Sequence, residues 1–101
     1  MVMRPYRVAE LLKGVNGLDD LERVIERIEK KGWFVEVSRI VGNDERYYDF
    51  YRVNRPYRPA FTVVVPLSGG EARVVWWGHG TIHRFHVPPQ ASRTRVEVIA
   101  Q

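Results

Sequence analysis

The sequence predicts an α+β fold, with one or two N-terminal helices packed on an antiparallel sheet of four to six strands. Three observations carry this expectation. Apolar residues at helical spacing are confined to the first third of the chain. Runs of β-branched and aromatic residues fill the remainder, and they alternate as half-buried strands do. The connections between those runs are short and rich in Gly and Asn, a length that only antiparallel pairing accommodates. With 101 residues, 45% of them hydrophobic, the chain is long and apolar enough for a core, and residues 1–101 are expected to form one domain.

The elements follow in order. Val8, Ala9, Leu11 and Leu12 predict a short helix ended by Gly14. The second helix is better marked. Asp19 stands as a candidate N-cap with Glu22 three residues on, the spacing of a capping box. Leu21, Val24, Ile25 and Ile28 form one continuous stripe, and Gly32 ends the helix behind Lys30 and Lys31. Residues 33–41 read as the first strand, with Gly42-Asn43-Asp44-Glu45 as a hairpin loop into a second strand. Pairing Val41 with Arg46 puts Trp33, Val35, Val37, Tyr48 and Phe50 on one face with Arg39, Arg46 and Arg52. Phe34, Ile40, Tyr47, Tyr51 and Val53 take the other face with Glu36 and Asp49. The prolines Pro56 and Pro59 make residues 54–59 an extended loop. Phe61 to Leu67 reads as a central strand covered on both sides, because Val63-Val64-Val65 is apolar on both faces. Ala72 to Trp77 and Thr81 to Val87 read as the fourth and fifth strands, and Thr94 to Ala100 as a last one.

Composition narrows the function classes. There is no cysteine, which excludes disulfides, thiolate-held zinc and a cysteine nucleophile. No apolar run reaches the roughly 20 residues of a membrane span, and no secretory leader is recognisable, so a cytoplasmic protein without a membrane partner is expected. Lys and Arg total 16 against 12 Asp and Glu. Ten of the 12 acids precede residue 50, so the second half is the cationic half and favours a polyanion as partner.

The most informative stretch is Arg46-Tyr47-Tyr48-Asp49-Phe50-Tyr51-Arg52, which continues into Arg55, Tyr57 and Arg58. Aromatic rings edged by arginines suit single-stranded nucleic acid: π-faces for bases, guanidinium groups for phosphates. The same aromatics also suit a core with solvated arginines at its ends. The expected site therefore comprises Arg39, Arg46, Tyr48, Phe50, Arg52, Arg55, Tyr57 and Arg58, with one of the adjacent Trp76 and Trp77 as a further stacking ring. Trp33 either lines the base of the same cleft or is buried against the Leu21 helix, and Arg73 and Arg84 are candidate additions. No cofactor and no catalytic residue is implied by this reading. The alternative is a small metal-independent ribonuclease that uses His79, His83 and His86, which fall within eight residues. In a single strand His79 and His83 would share a face and His86 would lie opposite, a poor spacing for a metal site.

Two resemblances bear on these expectations. Ile28-Glu29-Lys30-Lys31-Gly32-Trp33-Phe34 resembles the helix-to-strand junction of HicA-type toxins, small ribonucleases with a fold like that of double-stranded-RNA-binding domains. The histidine that those toxins carry on the second strand has no counterpart in Arg46-Tyr47-Tyr48-Asp49-Phe50. At the level of architecture, helices feeding an antiparallel sheet with an aromatic, arginine-rimmed surface resemble the ThermoDBP-related archaeal single-stranded DNA-binding proteins. That resemblance implies sequence-tolerant binding of single strands in an apolar cleft flanked by basic residues, and a thermophilic archaeal setting. Binding of single-stranded DNA or RNA is the leading expectation. An open sheet edge would also allow a homodimer.

Overall fold

Helix α1 spans Pro5–Lys13 and helix α2 Leu18–Glu29. Both belong to a computed structural model that describes residues 1–40 and 42–90. Pro5 opens α1, where its fixed φ suits the first turn and its missing N–H costs nothing. Gly14 follows α1 and donates its N–H to the Leu11 carbonyl. The capping box expected of Asp19 and Glu22 does not form. Gly17 holds the N-cap position without a side-chain bond, and Asp19 and Asp20 lie in the first turn, where negative charge favours the helix dipole. Asp20 instead accepts the Asn16 N–H and pairs with Arg23.

Five strands follow: β1 Trp33–Arg39, β2 Glu45–Arg52, β3 Phe61–Pro66, β4 Gly70–Trp76 and β5 Gly80–Val87. They form one antiparallel sheet in the order β1-β2-β3-β4-β5, a simple meander. The fold is α+β, as expected. Arg46 pairs with Arg39 and not with Val41, which lies outside the described residues. That is a slide of two residues along β1. Because side chains alternate with period two, every residue keeps its expected face. The register of β4 and β5 shifts between Val74 and Val75, so Ile82 is the extra residue of a bulge. The strand expected at Thr94 to Ala100 falls outside the described residues.

The apolar stripes of both helices decide which sheet face is covered. Val8 and Leu12 of α1 and Leu21 and Ile28 of α2 are fully buried, together with Phe50, Phe61, Val63 and Val74 of the sheet. α1 packs over β4 and β5, and α2 beside β1. Each large side chain so buried stabilises the fold by about 1.5–3 kcal/mol. The covered face is the one that carries Trp33, Val35, Tyr48 and Phe50. β3 is buried along its length, as its triple valine predicts. No helix among the described residues is long and apolar enough to cross a membrane.

This overturns two expected site residues. Phe50 is 0% exposed and Tyr48 7% exposed, so neither ring presents a face to a base. The reason is the helices' own demand. Two amphipathic helices need an apolar surface, and the Trp33–Phe50 face is the more apolar of the two. Trp33 is likewise buried, with its indole N–H donating to the Met3 carbonyl at 2.8 Å.

Candidate functional site

The remaining aromatic and basic candidates separate into three places. The first is a cleft of about 700 Å³ at the end of the sheet where β2 and β4 finish and β3 begins. Arg52, Arg55, Tyr57, Arg58, Trp76 and Trp77 line it. One wall is the loop after β2. Two prolines stiffen that loop, and backbone bonds anchor it at both ends, from the Arg55 N–H to the Arg52 carbonyl and from the Ala60 N–H to the Phe50 carbonyl. The other wall is the turn after β4, tied to the loop by the Trp77 N–H donating to the Ala60 carbonyl at 3.0 Å. Gly78 and Gly80 take φ values of 92° and 94° in this turn, which any side chain would resist.

The two tryptophans play different parts. Trp76 points to the covered face, with Phe61 tilted against it at 5.1 Å and His79 stacked on it at 4.0 Å between centroids. Trp77 points the other way and is 56% exposed. Its indole N–H donates to Thr62 Oγ1 at 2.8 Å, and that hydroxyl donates in turn to Asp49 Oδ1 at 2.6 Å. A pinned edge and a bare face make Trp77 a preorganised platform. Tyr57, 84% exposed, also lines the cleft. Sequence reasoning missed Thr62 and Asp49 as positioning residues. The one available signal was a lone hydroxyl in an otherwise apolar strand, but its partners depend on the β2–β3 register, which pairs Asp49 with Thr62.

The electrostatics of the cleft are one-sided. Among the described residues no carboxylate lines it. Among the described residues Arg52, Arg55 and Arg58 have no ion-pair partner, whereas Arg7, Arg23 and Arg84 do. Arg52 is half-buried, and among the described residues its Nε, shielded from solvent, has no hydrogen-bond partner, at a cost of about 1–3 kcal/mol.

The other cations lie elsewhere. Arg39 and Arg46 pair across the far end of β1 and β2, six residues or about 20 Å along β2 from Arg52. Each has an interaction partner of its own. The single cationic surface expected of Arg39, Arg46 and Arg52 is therefore split along the strand. Arg73 and Arg84 are cross-strand partners on the uncovered face, and Arg84 pairs with Glu71 at 3.2 Å. The opposite side of that face is acidic, with Glu36, Asp49 and Glu45 on β1 and β2. Its phenols respond. Burial and then the negative charges of Asp49 and Glu36 push the Tyr51 phenol above its ordinary range, while Phe34 stacks on its ring at 4.9 Å. Tyr47 is pushed up chiefly by its hydrogen bond to Glu45.

The histidines do not converge. His79 stacks on Trp76 beside the cleft. His83 lies under the α1–α2 connection, where its Nε2–H donates to the Val15 carbonyl at 2.6 Å. His86 is exposed on the uncovered face, opposite Glu71. A constellation of all three cannot act on one substrate in this arrangement. No family model matches the chain, and neither a curated protein nor a solved structure does.

Proposed function

We propose that this protein binds single-stranded nucleic acid, without base specificity and without catalysis, in the cleft between the Arg52–Ala60 loop and the Trp77 turn. One observation carries the reading: among the described residues, three arginines without ion-pair partners share a cleft lined by no carboxylate with two exposed aromatic rings. Phosphates would meet Arg52, Arg55 and Arg58, and bases would stack on Trp77 and Tyr57. Trp76, already stacked with His79 and packed against Phe61, supports the cleft and is not assigned as a stacking surface. Stacking tolerates any base because every base has a π-face, so the expected binding is sequence-tolerant.

The test is a fluorescence titration with oligo-dT and oligo-U of about 10 to 20 nucleotides, a length that spans ordinary single-strand site sizes. Tryptophan quenching should accompany binding. The three cleft contacts contribute about −2 to the slope of log K against log salt, at about 0.7 per contact. Through these contacts alone, raising salt from about 50 to about 200 mM should weaken binding roughly 20-fold. Joint Arg55→Ala and Arg58→Ala substitution should remove most of that slope, and Trp77→Ala should cost about 1–3 kcal/mol of affinity. No binding at low salt would refute the reading. Cleavage of labelled RNA that disappears in His79→Ala would replace it with the ribonuclease alternative, since His79 is the histidine beside the cleft.

A further inference from the structure

We infer that a single strand held in the cleft continues past Trp77 onto the uncovered face of the sheet and runs along β4 and β5, with Arg73 and Arg84 on its phosphates. This rests on the proposed function of the cleft. Its own support comes from the sheet.

Trp77 is the hinge between the two surfaces. It lines the cleft, and its indole N–H is bonded to Thr62, whose side chain belongs to the uncovered face. A base on this ring can therefore be followed by nucleotides on either surface.

Charge then selects the direction. The uncovered face is divided along the sheet. Glu36, Asp49 and Glu45 hold β1 and β2, and they repel a polyanion. Arg73 and Arg84 stand on β4 and β5 as direct cross-strand neighbours. Like charges facing each other across a strand pair are destabilising. Glu71 offsets this for Arg84, but among the described residues Arg73 has no ion-pair partner. A phosphate on each of the two guanidinium groups offsets the repulsion and pairs Arg73. Four residues of strand separate Trp77 from Arg73, about 13 Å, which an extended strand bridges within a few nucleotides.

The experiment compares oligo-dT of about 4 nucleotides, enough for the cleft, with oligo-dT of about 12, enough to reach β4 and β5. The wild-type protein should bind the longer oligonucleotide more tightly and with a steeper salt dependence. Joint Arg73→Ala and Arg84→Ala substitution should leave binding of the short oligonucleotide within about twofold and flatten the salt slope of the long one by about 1.4, two contacts at about 0.7 each. Joint Arg73→Lys and Arg84→Lys substitution, which keeps the charge, should retain most of the slope. The path is overturned if both oligonucleotides bind with the same slope, or if the alanine pair binds the long one as the wild type does. Absence of binding to either oligonucleotide by the wild type overturns the cleft itself, and the path with it.

Discussion

Phe50 and Tyr51 are neighbours in sequence and opposites in the fold, and truncating each in turn tests which sheet face the helices cover. Phe50 is 0% exposed, sits between Val35 and Phe61 on the adjacent strands, and belongs to the core under the helices. Phe50→Ala leaves a cavity that the packed neighbours cannot fill, at a cost of about 3–5 kcal/mol. For a chain of this size each kcal/mol lowers Tm by about 4–8 °C, so the expected loss is about 12–40 °C. That approaches the whole stability of a small domain, about 5–15 kcal/mol, so a gentler variant is needed alongside. Phe50→Leu retains part of the volume and should cost roughly 1–2 kcal/mol. Tyr51→Ala removes a half-buried ring stacked on Phe34 on the uncovered face, and should cost roughly 1–2 kcal/mol. Thermal melts followed by circular dichroism, with urea denaturation to check that the slope m is unchanged, read these differences. Oligonucleotide binding by Phe50→Leu should match the wild type. Two results would refute the reasoning: Tyr51→Ala costing more stability than Phe50→Ala, or Phe50→Leu keeping its Tm while losing binding.

Other expectations follow from the same geometry. Thr62→Val keeps the shape of a buried side chain but deprives both Trp77 Nε1 and Asp49 of their partner. It should lower stability by about 1–3 kcal/mol, because unpaired polar groups are left behind, and should broaden Trp77 motion in time-resolved fluorescence anisotropy. Gly69→Ala should cost at least about 1–2 kcal/mol, measured by urea denaturation, from its left-handed conformation alone. Its φ is 89°, and a Cβ there would lie 2.7 Å from the Pro89 nitrogen, so the segment around Pro88 and Pro89 must also move. Raising pH should destabilise the fold from about pH 10 upward. The Tyr47 and Tyr51 phenols are both raised above the ordinary value of 10.0, so the folded state holds their protons more tightly than the unfolded chain. Their contribution is complete below pH 10 and is lost as pH climbs through the folded values. An ultraviolet phenolate titration beside melts at pH 9 to 12 checks this, and Tyr51→Phe should shrink the alkaline loss.

Much of the fold was legible from local pattern. The Leu21–Ile28 stripe named the face of α2 that is buried, and Gly14 marked the end of α1. Alternation in β1 and β2 assigned every residue to its correct side even though the register differed by two, because a slide of two leaves parity untouched. The Asp19 capping box failed where spacing alone could not see that Asn16 and Gly17 already form the entry to α2. Of the candidate site, Arg52, Arg55, Tyr57, Arg58, Trp76 and Trp77 come together in one cleft, since four of them crowd a single proline-stiffened loop and two share one turn. Tyr48 and Phe50 do not join them. A strand of alternating aromatics looks alike from both sides until something covers one of them.

The helices, the hairpin order of the strands, the alternation within each strand and the loop rich in arginine can all be read from local pattern. All of these rest on interactions among residues close in the chain, where spacing is information. Tertiary structure decided the rest: which face α1 and α2 would cover, that Arg39 and Arg46 would stand about 20 Å from Arg52, and that Thr62 and Asp49 would hold Trp77. Those outcomes depend on contacts between segments far apart in sequence. Burial of two apolar stripes on the more apolar sheet face selects them, and no single stretch of the chain encodes that choice.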